Sequence, residues 1–583
     1  MRHISSGPSR LGALLALTLL ALPSIARADD GAEEPDPAPP EPPSMTSRDA
    51  QNPDRNWPEP WSDSDPGTRP SRLVLGPMGF RGAAEYRATA TFISPVNLSS
   101  DTDTKLSFFD HRLRLDGAVD YKDKVRIVAS VDALEGTLWG DNGNYAGDPA
   151  STSGANVNTT NANNARMCVV QTNPAAPVDI NSYKMGLCAG DPILIRRAYG
   201  EVLLPFGLLR VGRQAFTAGA GVAVNDGDGR KNRFGISYRG NNVDRILFAT
   251  KPLEAFKSKA DRNTSDSEGL FLILAYDKLV QDDLHKFADD LQEWNTAVRF
   301  LAKEHPIGKD LEGRLIHTYR WDRKNGTHIH AFNGRLTSRF GDFYAGLDAA
   351  VILGETREVA EAFRLITNDP AVSQTIRQLG MRGVLRYDRP LFTAYLEADY
   401  ASGDADPQVR TPLTQYRFSE DSNVGLLLFE HILAYQTARS AAAATELLKG
   451  LNAPTIPVES IASRGSFTNA MAIFPQFDLR PLKGLLVRGG VLMAWSPERT
   501  IDPVASQQKR DGKTIDDDLV NYVGGKPGSY YGTELDLRIQ YRFKEHFAFD
   551  FETAFLVPGD ALQDKNGYAV NSLLMQGRTT FFF

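Results

Sequence analysis

Regular alternation of apolar and charged residues is the feature that most constrains the fold of this chain of 583 residues. From residue 534 to 543 the even positions are charged or carry an amide, and the odd positions are large and apolar. After Lys544-Glu545-His546, phenylalanines at 547, 549, 551 and 555 alternate with Ala548, Asp550, Glu552 and Ala554. A period of two with one apolar face is typical of β-strands. The pattern recurs at 112–121, 125–133, 392–400 and 485–495, so we predict an all-β fold.

The connections between these segments alternate in length. Tight turns are predicted at 122–124, 205–207, 240–242, 341–342, 388–390, 481–484 and 544–546. Long polar connections are predicted at about 139–192, 253–293, 355–380, 401–465 and 496–530, although Gly269 to Tyr276 also fits a strand. Aromatic residues lie beside the short turns, where a membrane-interface girdle is expected: Tyr121, Phe206, Phe340, Phe343, Tyr387, Phe543 and Phe547.

These patterns predict a single transmembrane antiparallel β-barrel of about 18 strands, within a range of roughly 16 to 20. We expect long extracellular loops, short periplasmic turns and outer-membrane lipid around the barrel. A hydrophobic content of 42 % and a net charge of −7 look like those of a soluble protein. A barrel has the same composition, because only every second strand residue faces lipid.

The N-terminal region predicts export. Arg2, His3 and Arg10 precede an apolar stretch, and Ala26-Arg27-Ala28 fits a cleavage site, so residues 1–28 are predicted to be a secretory signal peptide. Residues 29–72 are rich in proline and acid and are predicted to form a disordered periplasmic tail, with a partner-binding tether as the functional alternative. Residues 73–583 are then the barrel. No later stretch reaches the roughly 18 apolar residues of a membrane helix, which leaves a secreted soluble protein as the alternative.

The last residues form a predicted strand that closes on Phe581 and Phe583. This ending resembles the C-terminal signature of bacterial outer-membrane barrels, in which the last strand is recognised by the barrel-assembly machinery. The resemblance implies that this machinery is a partner of the chain. The alternative is a soluble sheet protein whose final strand happens to be aromatic. In a membrane barrel the last strand must pair with the first, because a free sheet edge is not tolerated in lipid.

Two further patches resemble the alginate-export branch of outer-membrane porins. One runs from Leu208 to Gln214 and continues at Gly229-Arg230 and Phe234-Gly235. The other runs from Tyr531 to Leu562 and is similar to the closing hairpin of that branch. The chain also resembles uncharacterised barrels of the myxobacterial type, including residues Asn423 to Ala443. These resemblances imply a porin-like barrel fold, and neither patch identifies alginate as the cargo.

Several charged residues fall on inward positions and are candidate lumen or selectivity residues. They are Arg112, Arg114, Arg210, Arg335, Arg339, Arg538 and Arg542, with Glu534 and Asp536 among their acidic neighbours. Arginines across a pore attract anions, since charged rings set selectivity in channels. The alternative is a lumen of paired charges that holds the strands in register and passes nothing.

Cys168 and Cys188 are the only cysteines. An exported chain with two cysteines in one segment is expected to join them, which stabilises a loop of this length by roughly 3 kcal/mol in the chain-entropy account. The alternative is two free thiols.

Residues Val424 to Leu448 break the strand pattern and predict a mostly apolar helix within a long outer loop. An apolar helix in that place must bury itself, so we predict a plug or constriction in the barrel mouth, with an amphipathic cap on the rim as the alternative.

Together these features predict a porin-like outer-membrane channel for passive passage of small polar or anionic solutes. One alternative is a non-conducting barrel with a structural or adhesive role through its loops. A second is a hydrolase with its site at the rim. The sequence has no nucleophile elbow, zinc-helix motif or phosphate loop, so we predict no catalytic residues, no metal, no cofactor and no nucleic-acid partner. The oligomeric state is left open.

Overall fold

Eighteen antiparallel strands close into one barrel in the computed structural model of the chain. The structure describes residues 71–583 apart from 99–104, 123, 141–166, 172–182, 188–192, 216–220, 226–231, 237–241, 259–260, 264–267, 282–290, 324, 368–369, 438–462, 464, 501–527, 544–545 and 565. The predicted signal peptide and nearly all of the predicted tail lie outside the described residues. Strand pairing begins at Ser71, two residues before the predicted start of the barrel.

The strands follow one another around the barrel in sequence order. They are β1 (Ser71–Leu75), β2 (Met78–Ser94), β3 (Leu106–Tyr121), β4 (Val125–Gly140), β5 (Met167–Gln171), β6 (Tyr183–Leu187), β7 (Ile193–Leu204), β8 (Gly207–Ala215), β9 (Asn242–Thr250), β10 (Gly269–Gln281), β11 (Gln292–His305), β12 (Gly308–Asp322), β13 (Thr327–Phe340), β14 (Phe343–Thr356), β15 (Gln374–Asp388), β16 (Phe392–Ala401), β17 (Ala470–Leu482), β18 (Leu485–Trp495), β19 (Tyr530–Phe543), β20 (Phe547–Pro558) and β21 (Ser572–Phe582).

Three of these strands stand outside the closed ring. β5 and β6 pair only with each other, as a separate hairpin in the connection between β4 and β7. The short strand β1 pairs with the first residues of β2. The other eighteen strands form the predicted antiparallel barrel, so the predicted fold class is confirmed.

The barrel closes where β2 pairs with β21, from Glu85 opposite Phe582 to Ser94 opposite Leu573. The main chain of Phe583 continues this pairing, because its N–H and C=O both hydrogen-bond to Ala84, at 2.9 and 3.0 Å. β1 occupies the remainder of the same edge of β2. Except at Ala83, the backbone of β2 from Met78 to Ser94 therefore has a neighbouring strand on this edge, as lipid requires.

Side chains alternate between the two faces of the wall. Outward residues such as Leu115 and Leu315 are 48 % and 55 % exposed, whereas the inward Arg112 and Arg538 are fully buried. A closed barrel with an apolar outer belt and a polar interior is the architecture of proteins that cross a membrane with strands. Among the described residues, every helix is too short or too polar to span a membrane.

The predicted difference between the two rims holds for most connections. The tight turns after β3, β7, β13, β15, β17 and β19 share one rim, and the described part of the long connection between β16 and β17 belongs to the other. Two predictions are wrong. Residues 240–242 end a longer connection and start β9, and the predicted loop 253–293 contains the strand β10.

The sequence of β10 explains the second error. Its inward residues Phe271 and Ala275 are apolar and buried, and Leu274 on its outer face is 42 % exposed. Because both faces are apolar here, the period of two is absent from the sequence. The connection before β10 lies on the rim of the short turns and includes the helix α1 (Pro252–Ala255).

Aromatic residues lie at both rims. Those predicted beside the short turns point outward, with Phe206, Phe343 and Phe543 each more than half exposed. A second group at the opposite rim was not predicted. There Tyr276 contacts Trp294 and Trp321, with ring centroids 5.1 and 6.4 Å apart, on strands β10 to β12. Two aromatic belts are expected where a barrel meets both membrane surfaces.

The predicted disulfide involves a residue outside the described part of the chain. The register of β5 and β6 places Cys168 opposite Gly186, two residues before Cys188. Cys188 and the side chain of Cys168 lie outside the part of the chain that the structure describes, so the Cys168–Cys188 bond stays a prediction.

Deleting Phe581 to Phe583 should prevent closure of the barrel. The deletion removes the hydrogen bonds between Phe583 and Ala84 and the pairing of Phe581 and Phe582 with β2, and it leaves part of an edge open to lipid. We expect the outer-membrane fraction to lose the species whose gel mobility changes on boiling. Deletion of residues 566–568, which lie in an outer connection, serves as the control. A truncated chain with normal yield and normal heat modifiability would show that the terminal residues are dispensable.

Candidate functional site

Arginine and carboxylate side chains cover much of the inner wall, and they pair between neighbouring strands. Arg112 on β3 binds Glu85 on β2, and the guanidinium of Arg114 donates to both oxygens of Asp132 on β4, at 2.5 and 2.7 Å. Similar pairs recur around the barrel: Arg245–Asp277, Arg299–Glu312, Arg382–Asp399, Arg488–Asp478 and Arg578–Glu552. Burial without such partners would be costly for these charges.

The candidate lumen residues take part in this pairing in different ways. Arg210 lies 3.0 Å from Glu201, and Arg335 lies 3.6 Å from Glu312. Arg538 donates to Asp550 at 2.6 Å. The two remaining arginines, Arg339 and Arg542, lie near the rim of the short turns. Arg339 binds Asp388 at 3.0 Å and is partly exposed, and Arg542 is exposed although it continues the inward face of β19.

One part of the wall has more arginines than carboxylates. Arg299, Arg314 and Arg335 are register partners on β11, β12 and β13. They face Glu312 and Asp348, and the closest oxygens to the Arg314 guanidinium are 3.8 and 4.0 Å away. Its three nitrogens make no hydrogen bond within the described residues, although Arg314 is only 5 % exposed. We call Arg299, Arg314 and Arg335 the arginine triplet.

Two connections fold into the lumen and contact each other there. Residues 221–225 and 232–236 come from the connection between β8 and β9, and residues 416–437 come from the connection between β16 and β17. The side chains of Asn225 and Asn232 both donate to the carbonyl of Asp421, at 2.7 and 3.0 Å. The Tyr416 hydroxyl donates to the carbonyl of Val222 at 3.0 Å. We call these three segments together the plug.

The first connection is attached to the wall through Arg233. Its guanidinium donates to Gln476 at 2.6 Å and to Asp478 at 2.8 Å, both on β17. The carbonyl oxygen of Arg233 accepts hydrogen bonds from Arg488 and Arg538, at 2.6 and 3.1 Å. Charge-assisted hydrogen bonds are stronger than neutral ones, so this one residue makes several of the strongest contacts between plug and wall.

The second connection is attached through Glu534. Its carboxylate accepts the N–H groups of Leu426, Leu427 and Leu428, at 2.7, 2.8 and 2.6 Å. These residues precede and enter a π-helix (Leu428–Leu433), so a wall carboxylate satisfies backbone donors that a helix start leaves free. The neighbouring Asp536 is also buried and lies beside Gly425.

The predicted apolar segment is thus inside the barrel, as a plug rather than a rim cap. Residues 424–437 are buried, and residues 438–448 lie outside the described part of the chain. The plug packs on apolar side chains of the inner wall: Ile93, Leu106, Leu492, Leu556 and Leu574. The strands that carry these residues also carry charged residues on the same inward face. Each of these strands changes from charged to apolar along its inward face, toward the rim of the long loops.

The apolar part of the inner wall that contacts the plug has a signal in the sequence. Leu492 follows Arg488 on the inward face of β18, and Leu556 follows Glu552 on the inward face of β20. An apolar residue at an inward position of a wide barrel needs a partner from outside the wall. The role of Arg233 carried no such signal, because it depends on residues more than 240 positions away.

A family model described as Alginate export matches residues 452–576. The match includes the resembling patch from Tyr531 to Leu562 and leaves the patch from Leu208 to Gly235 outside. No curated protein matches the sequence.

Solved structures with a similar fold include outer-membrane proteins of Pseudomonas aeruginosa. The outer-membrane protein opdK is 9 % identical with a TM-score of 0.41, and OccK9 (OpdG) is 9 % identical with a TM-score of 0.44. OccK2 (OpdF) in complex with glucuronate is 8 % identical with a TM-score of 0.42. Each similarity covers 86 % of this chain and 98 % of the other, and at these scores none bears on the function of this chain.

The closed barrel and its apolar outer belt are those of a β-barrel that crosses a membrane, and the family match is confined to residues 452–576. A wall of this kind faces lipid outside and polar groups inside.

Acidification should loosen the plug. Burial lowers the pKa of the His431 ring to about 3 from an ordinary value of 6.5. Between these two pH values, His431 binds a proton when the plug is released but not when the plug is in the lumen. The attachment of the plug is therefore strongest above about pH 6.5, and its free energy weakens by up to about 1.4 kcal/mol per pH unit below that value. We expect faster hydrogen exchange of residues 426–433 at about pH 5 than at about pH 7, after correction for intrinsic rates.

His431→Leu is the matched variant, because it keeps an apolar side chain of similar size and removes the titrating group. The difference in pH dependence between wild type and His431→Leu isolates the contribution of the histidine. Equal pH dependence in both proteins would contradict the prediction.

Proposed function

We propose that this chain is a gated outer-membrane channel that passes small polar solutes, anionic ones among them, by passive diffusion once the plug leaves the lumen. The observation that carries the proposal is the noncovalent attachment of a two-loop plug inside a charged barrel of 18 strands. The anionic preference and the opening are parts of the proposal.

The size of the barrel supports a channel. Barrels of 16 to 18 strands are too wide to be filled by the side chains of their own wall, and they leave an aqueous lumen. Here the lumen receives loop segments instead. Each hydrogen bond from the plug to a charged wall group contributes roughly 1.5 to 3 kcal/mol, so the plug is attached by many noncovalent contacts that are weak individually.

The part of the inner wall that contacts the plug argues against a plug that only fills the interior of the barrel. A barrel that needs only a solid interior can fill it with apolar side chains, whereas this wall keeps buried charges beside the plug. When the plug is absent, Glu534, Asp478 and Arg538 would line an open passage. Charged rings of this kind set ion selectivity in channels.

Planar-bilayer conductance of the purified barrel tests the channel. We expect low open probability in the wild type and a large increase when residues 424–448 are replaced by a short Gly-Ser linker. Replacement of the helix α2 (Glu358–Thr367), which belongs to another outer connection, is the control and should leave the conductance low. No conductance in any form would favour the alternative of a structural or adhesive barrel. The rim hydrolase is a further alternative that no contact described above supports.

Selectivity for anions should depend on the arginine triplet. Arg314→Gln removes one positive charge without breaking a hydrogen bond within the described residues. In the barrel whose residues 424–448 are replaced by the Gly-Ser linker, we expect the reversal potential in a salt gradient to shift toward cations, since charges in a confined lumen are weakly screened. Arg213→Gln is the control, because its pair with Asp244 is partly exposed. An unchanged reversal potential in a folded Arg314→Gln barrel would reject this part of the proposal.

A further inference from the structure

Arg233 occupies a place on the wall that has the shape and chemistry of a guanidinium-binding site. Its carbon Cζ lies 4.0 Å from the centre of the Tyr395 ring. Its Nε donates to the Gln476 side-chain oxygen at 2.6 Å, and its Nη2 donates to the Asp478 carboxylate at 2.8 Å. The Tyr395 ring therefore contacts the flat face of the guanidinium group, and Gln476 and Asp478 accept hydrogen bonds from two nitrogens on its edge.

The wall supplies this site from two neighbouring strands. Tyr395 on β16 and Gln476 on β17 are direct register partners, and Asp478 follows two residues along β17 on the same face. All three side chains are buried, at 5 %, 6 % and 0 % exposure. Their positions depend on strand pairing rather than on the plug, so the site persists when Arg233 withdraws.

Neighbouring arginines reduce the net negative charge that Asp478 offers to a ligand of this site. Asp478 also accepts two hydrogen bonds from Arg488, at 2.8 and 2.9 Å, and Arg480 lies 3.6 Å away. A ligand therefore gains from shape and stacking as much as from net charge, and we expect its affinity to be on the order of millimolar.

We infer that the Tyr395–Gln476–Asp478 site binds guanidinium-bearing solutes, and that Arg233 fills it as an internal substitute for such a solute. A free guanidinium compound then competes with Arg233 for the wall and favours release of the plug. The binding itself is independent of the proposed channel function, whereas its effect on opening rests on that function.

The geometry selects guanidinium over ammonium. A guanidinium group is planar, stacks on an aromatic ring and donates along its edge in fixed directions. An ammonium group is a compact point charge that cannot stack on Tyr395 and reach both oxygens in one plane. A simple cation site would not discriminate between the two.

The test is calorimetric titration of the full-length barrel in detergent with methylguanidinium, and with methylammonium for comparison. Arg233→Ala empties the site, and we expect it to bind methylguanidinium saturably and about tenfold more tightly than wild type does. We expect binding of methylammonium to be at least about tenfold weaker, and Tyr395→Leu in the Arg233→Ala background to weaken methylguanidinium binding by about tenfold. Arg213→Ala is the control arginine variant and should bind like wild type.

Heat modifiability on a gel shows that each variant is folded. If Arg233→Ala does not assemble, Arg233→Met replaces it, because methionine keeps the apolar stem of the side chain. Equal affinities for the two ligands, or equal binding by wild type and the emptied variant, would overturn the inference. In bilayers, methylguanidinium should raise the open probability of wild type. Binding without that rise would support the site and contradict the proposed opening.

Discussion

Lateral pairing of buried arginine and carboxylate side chains is the interaction on which the rest of this structure depends. Arg114 joins its register partner Asp132, and Arg538 joins Asp550, which lies diagonally opposite on the neighbouring strand. A slip of one residue between two strands would exchange the faces and place these charges in hydrocarbon. Since charge in the middle of a membrane costs several kcal/mol per group, the pairs act together with the apolar belt to specify register.

The same wall charges also determine where the plug lies. Arg488 and Arg538 each bind a carboxylate of a neighbouring strand and, with Nη1, the carbonyl of Arg233. Glu534 has no such strand partner among the described contacts and instead accepts three backbone donors of the plug. Register and plug position therefore use one set of side chains, so a change in the plug acts on the strands that hold it.

Much of the fold was predictable from the sequence because a barrel wall is a local pattern repeated many times. The alternation around Arg538 predicted the correct face for residues 534–541 of β19, and the run from Val424 indicated a buried segment. The strand β10 was ambiguous because Phe271 and Ala275 make its inward face apolar. Arg233 was missed as a site residue because its contacts with Gln476 and Asp478 join distant parts of the chain. No local period reports such a contact.

The seam of the barrel shows how nearly circular the molecule is. The backbone of Phe583 is hydrogen-bonded to that of Ala84, and Ser71 lies opposite Gly82. Both contacts lie along one edge of β2. Only the position opposite Ala83 separates β21 from β1, and the two strands run in the same direction. In their geometry the two strands form one long strand that is interrupted at a single residue position. In a chain that lacks residues 1–70, a single inserted residue would join Phe583 to Ser71 covalently. The ring of strands would then have no fixed beginning, so new termini placed in any outer loop would leave the same sheet.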